Sequence, residues 1–560
     1  MKSRRHLTFW AAAAAFLGLS SVSCVGHGAT MSTPSPAESG PIVDAPAGVF
    51  EGRAEGALHV FKGIPYASPP VGPARWRPPG PLPRSAGVMN AAQFGPACPQ
   101  PKSRIASVYA EELGPVSEDC LTLNIWTPAE ARKTPVFIWI HGGAFTTGAS
   151  SQVLYDGARL AAQGLVVVSI NYRLGVLGYL AHPDLSAESP RGISGNYGVL
   201  DQIAALQWIQ RNIGAFGGDA SNVTIAGESS GGLSVVYLMA SPDARGLFSK
   251  AVIQSAYMIS TPELKQAKFG AASAEDIGSQ LAAKLQAPTI AAMRAMDAGT
   301  LVDAAAAAGY GAFGTIDGKI LPRQLVDVFD RGEQAPVPVL VGFNSGEIRS
   351  LTFLTPPAPA TAGDYERIIH ERYLDLGDEF LRLYPSASMQ ESMWATTRDA
   401  LYGWTAERLA RKQTELGLTA FLYLFDHGYP AADSIGLHAF HASELPYVFG
   451  TRDRTSPLWP KIPETPEEAK FSDALTGYWS SFARTGRPKA AGEPDWLSYR
   501  SNAAYMLFAD VPHPSNDLYP GMFALHEEAV CRRKASANQP WNWNVGILSP
   551  PLTKQAAHCP

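Results

Sequence analysis

Charge is scarce in this chain, and so is cysteine. Only 17% of its 560 residues are Asp, Glu, Lys or Arg, and the formal net charge is −5. That balance argues against binding nucleic acid by charge, and a hydrophobic content of 46% argues against a disordered chain. No internal repeat and no long low-complexity linker follows Gly40, so the length reads as one large domain with long loop insertions. After the first twenty residues no apolar run is long enough to span a bilayer. The five cysteines are Cys24, Cys98, Cys120, Cys531 and Cys559. Their spacing does not suit zinc, and none sits near an obvious base, so neither a metal centre nor thiol catalysis is expected.

The longest apolar run is N-terminal. Lys2, Arg4 and Arg5 precede a stretch from Leu7 to Leu19 that ends in small residues, the pattern of a secretory signal over 1–23. Ser21-Val22-Ser23-Cys24 loosely resembles a bacterial lipobox, which would make Cys24 an acylated N-terminus and a lipid anchor. Ser21 stands where leucine is usual, and ordinary cleavage near Ser23 or within Gly26–Ala29 is the alternative. Residues 24–40 read as a linker rich in Ser, Pro, Gly and Ala, which leaves 41–560 as the folded domain. An exported chain, periplasmic or secreted, holds its four remaining cysteines in an oxidising compartment, and an even number implies two bridges. Three pairings exist; the local one, Cys98–Cys120 with Cys531–Cys559, is the simplest.

Apolar runs at Val136–Ile140, Leu165–Ile170, Ala251–Ile253, Pro338–Val341 and Phe421–Phe425 read as buried strands, and Glu118–Trp126 alternates like one. Val60–Pro83 reads as an irregular cover. Ile203, Leu206, Ile209 and Ile213 fall at helical spacing, as do Phe471, Leu475, Tyr478 and Phe482. Strands alternating with helices predict an α/β fold: a large, mostly parallel central sheet with helices on both faces. Residues 265–315 and 355–415 lack clear strands and are expected to be helical insertions.

Gly227-Glu228-Ser229-Ser230-Gly231 is a G-x-S-x-G pattern in the right surroundings. A β-prone segment, Asn222–Ala226, precedes it, and Gly232–Met239 can form a helix that stops near Pro242. Strand, sharp turn and helix make a nucleophile elbow, which lifts the Ser229 hydroxyl above the sheet at a helix N-terminus. A serine hydroxyl needs a base, an acid that orients the base, and donors for the oxyanion. In this architecture acid and histidine follow the serine in chain order, on loops after strands. Glu347 sits on such a turn, in Gly342-Phe343-Asn344-Ser345-Gly346-Glu347. His427, His438 and His441 follow the next strand; His427 is close enough to it to be structural, and chain logic leaves His438 and His441 open. Gly142 and Gly143, with the N–H of Ser230, could supply the donors.

These residues resemble the type-B carboxylesterases, the branch of the α/β-hydrolases that includes the cholinesterases. Phe216-Gly217-Gly218-Asp219, Val223–Gly232, Glu118–Ile125, Gly63–Ala67 and Asn171–Gly175 carry the resemblance, which runs from about Val60 to Phe508. It implies the α/β-hydrolase fold, with Ser229, Glu347 and His441 as triad and Gly142, Gly143 and Ser230 as oxyanion hole. It also implies Cys98–Cys120 as a disulfide and Glu228 as a buried supporting carboxylate. His441 is matched through His441–Gly450, anchored by Glu444 and Phe449-Gly450.

The chain departs from the family at Ser230, where alanine is usual, and at Ile348, where glycine is common. The loop between Cys98 and Cys120 contains Tyr109 but no tryptophan, so capture of choline by cation–π contact is not expected. The implied activity is hydrolysis of small-molecule esters through an acyl-enzyme, with no cofactor or metal. Amide or thioester hydrolysis shares the chemistry, and a catalytically silent binding protein on the same fold is the competing class. Candidate substrates range over short aryl and alkyl esters, hydroxycinnamoyl esters, polyester fragments and tricarballylic esters of the mycotoxin kind.

Overall fold

The computed structural model describes residues 40–102, 107–541, 544–554 and Cys559. The segment 1–23, Cys24 and nearly all of the 24–40 stretch lie outside the described residues. Among the described residues, no helix is long and apolar enough to cross a membrane.

The strands, in chain order, are β1 (Ile42–Ala45), β2 (Gly48–Glu51), β3 (Arg53–Glu55), β4 (Leu58–Pro65) and β5 (Val88–Asn90). β6 (Thr122–Pro128), β7 (Thr134–Ile140), β8 (Val166–Ile170), β9 (Gly218–Glu228) and β10 (Lys250–Gln254) follow. The last are β11 (Val339–Asn344), β12 (Ala420–Phe425), β13 (Ala504–Phe508) and β14 (Pro512–Asn516). β1, β2 and β5 form a small sheet; the other 11 form one large mixed sheet in the order β14-β13-β12-β11-β10-β9-β7-β8-β6-β4-β3. It is parallel from β13 to β8 and antiparallel towards both edges.

The apolar runs are continuous because both faces of the sheet are covered. On β7, Val136, Ile138 and Ile140 enter one core cluster while Phe137 and Trp139 enter another. Successive strand residues point to opposite faces, so these two clusters are the two sides of the sheet. β7 lies between β9 and β8, so the chain leaves it on one side and returns on the other. A crevice opens at the C-terminal ends of strands where the order reverses in this way.

Helices Tyr197–Asn212 and Pro466–Thr485 occupy the periodic segments. The latter starts at Thr465, whose hydroxyl accepts the Glu468 N–H, and stops at Gly486, φ 75°. Residues 274–307 and 362–415 carry helices, and Asp399–Gly403 within the second insertion winds as a π-helix. Two elements differ from the expected layout. Leu58–Pro65 is a strand of the large sheet, not irregular cover; a bulge between Phe61 and Ile64, with Gly63 at φ 69°, breaks its alternation. β13, a five-residue strand, extends the sheet beyond β12, where no further apolar strand was anticipated.

Candidate active site

β9 ends at Glu228, and Ser229 turns the chain straight into the helix Ser230–Ala240. Ser229 has φ 56° and ψ −124°, a region that only an over-determined turn can hold. Its N–H donates to the Gln254 carbonyl at 3.0 Å. The two glycines are required by contact: a Cβ on Gly227 would lie 2.4 Å from the Gly231 backbone, and one on Gly231 would lie 2.1 Å from the Ile140 carbonyl oxygen.

The loop after β7 passes beside the nucleophile. A Cβ on Gly142 would come within 3.2 Å of Ser229 Cβ and 2.9 Å of the Glu228 carbonyl oxygen. Gly143, Ala144 and Phe145 all have positive φ, at 106°, 55° and 57°. The Phe145 N–H closes this left-handed run by donating to Ser230 Oγ at 3.1 Å. The serine that stands where alanine is usual thus uses its hydroxyl to pin the glycine loop. The Ser230 N–H, at the first position of its helix, has no acceptor within that helix, and the helix dipole adds partial positive charge there.

Glu347 follows β11 and is fully buried. Its Oε1 accepts from the Asn344 N–H at 2.8 Å and from Ser255 Oγ at 2.6 Å, while its Oε2 pairs with His441 Nδ1. The acid turn and the histidine loop also share main chain: the Gly346 N–H donates to the Ala439 carbonyl at 2.9 Å. His441 Nε2 comes to 3.0 Å of Glu228 Oε1, next to the nucleophile in sequence. That contact is an ion-pair approach rather than an aligned hydrogen bond, for Glu228 Oε1 has no hydrogen-bond partner. Two aromatic rings flank the imidazole: Tyr402, from the π-helix, at 5.4 Å, and Tyr109 at 6.4 Å.

Three buried carboxylates converge here. Burial pushes Glu228 up to about 8, against the pull of His441, and pushes Glu444 up to about 7. Glu444 is held by Gln254 Nε2 at 2.8 Å and Asn344 Nδ2 at 2.7 Å. Burial pulls His441 down, but Glu228 and Glu347 outweigh it and raise the imidazole to about 9.

The other two histidines lie elsewhere. His438 is partly exposed, with Nδ1 at 2.8 Å from Asp433 and Nε2 at 3.3 Å from Asp426; chiefly through the Asp426 bond it is raised to about 9. His427 is buried against Phe471, with Nε2 at 3.2 Å from Glu468. The four cysteines are joined as Cys98–Cys120 and Cys531–Cys559, with Cα separations of 5.1 and 5.8 Å. Asn344 is local to the Glu347 turn, but Gln254 and Ser255 bear on the site without any motif, brought in by strand register.

Residues 39–519 match the model of the carboxylesterase family. The chain is 36% identical to the fumonisin B1 esterase of Sphingopyxis macrogoltabida, covering 82% of this chain and 85% of that one. It is 35% identical to the para-nitrobenzyl esterase of Bacillus subtilis, over 84% and 94% of the two chains. A solved PNB esterase structure superposes with a TM-score of 0.75 at 32% identity, covering 86% of this chain and 99% of that one. A carboxylesterase from Geobacillus stearothermophilus gives 0.72 at 31%, over 86% and 99%. The chain has the α/β-hydrolase fold and belongs to the carboxylesterase family, as a serine hydrolase acting on carboxylic ester bonds.

Proposed function

We propose that this chain is an exported carboxylesterase that hydrolyses small-molecule esters through an acyl-enzyme, with Ser229, His441 and Glu347 as its triad. The observation that carries the reading is the orientation of His441: Nδ1 on Glu347 Oε2, and Nε2 turned towards the residue that precedes Ser229. Ser229 Oγ attacks the ester carbonyl as His441 Nε2 takes its proton, and the N–H groups of Gly142, Gly143 and Ser230 receive the developing oxyanion. His441 returns the proton to the departing alcohol. Water, activated by the same imidazole, then releases the acid. Glu347 stabilises the imidazolium and fixes its tautomer.

Export is supported by the signal-like segment 1–23 and by two disulfides, which suit an oxidising compartment. Residues 41–560 are read as a single catalytic domain, and Cys24 as a candidate lipid anchor. Fumonisin B1 and para-nitrobenzyl esters are the first substrates to try, since relatives are named for them. Acid quenching during turnover of nitrophenyl acetate, followed by peptide mass analysis, should find the acetyl group on the Ser229 peptide. An acyl group elsewhere, or none during a burst of nitrophenol, would end this reading.

A further inference from the structure

The loop closed by Cys98–Cys120 reaches the histidine loop through the side chain of Tyr109. Tyr109 Oη donates to the His441 carbonyl oxygen at 2.9 Å and lies 2.7 Å from Ser350 Oγ. A carbonyl can only accept, so the single phenolic proton is committed to His441, and Ser350 must be the donor in the second bond. Ser350 stands three residues after Glu347, in the turn that carries the acid. Ser350, Tyr109, His441 and the Glu347 turn therefore close a ring built from three loops that are far apart in sequence.

The carbonyl that Tyr109 holds belongs to the peptide joining His441 to Ala442. Ala442 has φ 67°, a left-handed conformation that a non-glycine residue keeps only when its surroundings impose it. Tyr109 is well placed to impose it, because its ring is wedged against Trp459 at 6.0 Å and Phe440 at 6.5 Å. Burial, despite the bond from Ser350, pushes the phenol well above its usual value, so it stays a donor across the range in which esters are assayed.

We infer that Tyr109 is a positioning residue: its hydroxyl holds the His441 main chain, and through it the imidazole, in line between Glu347 and Ser229. The inference rests on His441 being the base. It gives the disulfide loop a part in the reaction, since that loop delivers the tyrosine.

Tyr109→Phe removes the hydroxyl and keeps the ring. Its kcat on a small nitrophenyl ester should fall about tenfold, the scale of one lost hydrogen bond on a reacting group, with KM moved by less than about twofold. The rate at which a phosphonylating inhibitor modifies Ser229 should fall by the same factor, while Tm stays close to that of the parent. Ser350→Ala, which leaves the Tyr109 ring untouched, should give a smaller loss of kcat and add nothing to Tyr109→Phe. Unchanged kcat and inhibitor rate in Tyr109→Phe, or a loss confined to KM, would overturn the inference. If His441→Ala kept its activity, the fault would lie in the assignment of the base.

Discussion

The two halves of the site are built by different means. The nucleophile half is backbone: five consecutive residues, two of them glycines that no side chain can replace, and a serine held at φ 56° by the crossing of strand and helix. The base half is largely side chain: Glu347 and His441 come from loops 94 residues apart and meet through hydrogen bonds to the Ser255 hydroxyl, the Asn344 N–H and each other. A backbone-built half tolerates little change in shape. A half assembled by side chains can lose one bond at a time, and its charges set its pH behaviour.

The strongest test of this contrast removes the central group of each half. Ser229→Ala should lower kcat on a small ester by about a millionfold, and His441→Ala by at least about a thousandfold, with both proteins folded. His438→Ala should change kcat by less than about tenfold, because that imidazole is engaged with Asp426 and Asp433 rather than with Glu347. Equal losses from His438→Ala and His441→Ala would mean that the base had been misassigned.

A pH profile of kcat/KM addresses the charges of the base half. His441 must be neutral to act as base; Glu228, Glu347 and Glu444 all raise it, and the charge of Glu228 is the largest single raising influence. Glu228→Gln removes that charge, leaves burial opposed by Glu347 and Glu444 alone, and should move the acid limb to lower pH. A limb that stays put would show that Glu228 is already protonated where the limb lies.

The smallest effect is expected where the halves differ most. Ser230→Ala should lower kcat about fivefold by freeing the Phe145 N–H from its hydroxyl, with no shift of the pH profile. A shifted acid limb in this variant would break the separation between oxyanion loop and base.

The same contrast explains what could be read from the sequence. The elbow is local, so strand, glycines and helix appear in one window around Ser229. Glu347 could be singled out because it follows a strand on a Gly/Asn turn. His441 could not be told from His438 by spacing alone. What distinguishes them is the company each keeps: Asp426 and Asp433 on one, Glu228 and Glu347 on the other, all brought in by folding. Gln254 and Ser255 were invisible for the same reason. They matter because β10 lies between β9 and β11, a matter of register rather than motif. The resemblance supplied His441 without supplying Tyr109, whose partner lies 332 positions away.

The π-helix at Asp399–Gly403 makes chain length itself a determinant of the site. Its first residue bonds Arg398 Nε and Tyr384 Oη, and its fourth, Tyr402, lies against His441. The wide turn holds one residue more than an α-helical turn, so a deletion there would turn everything downstream by about 100° about the helix axis. Asp399 and Tyr402 could not then both keep their partners. A single-codon change in length, with no change of residue type, would exchange the side chain presented to the imidazole. Among relatives, a gap or an extra residue at this turn would mark a change in the wall beside His441 more surely than any substitution nearby.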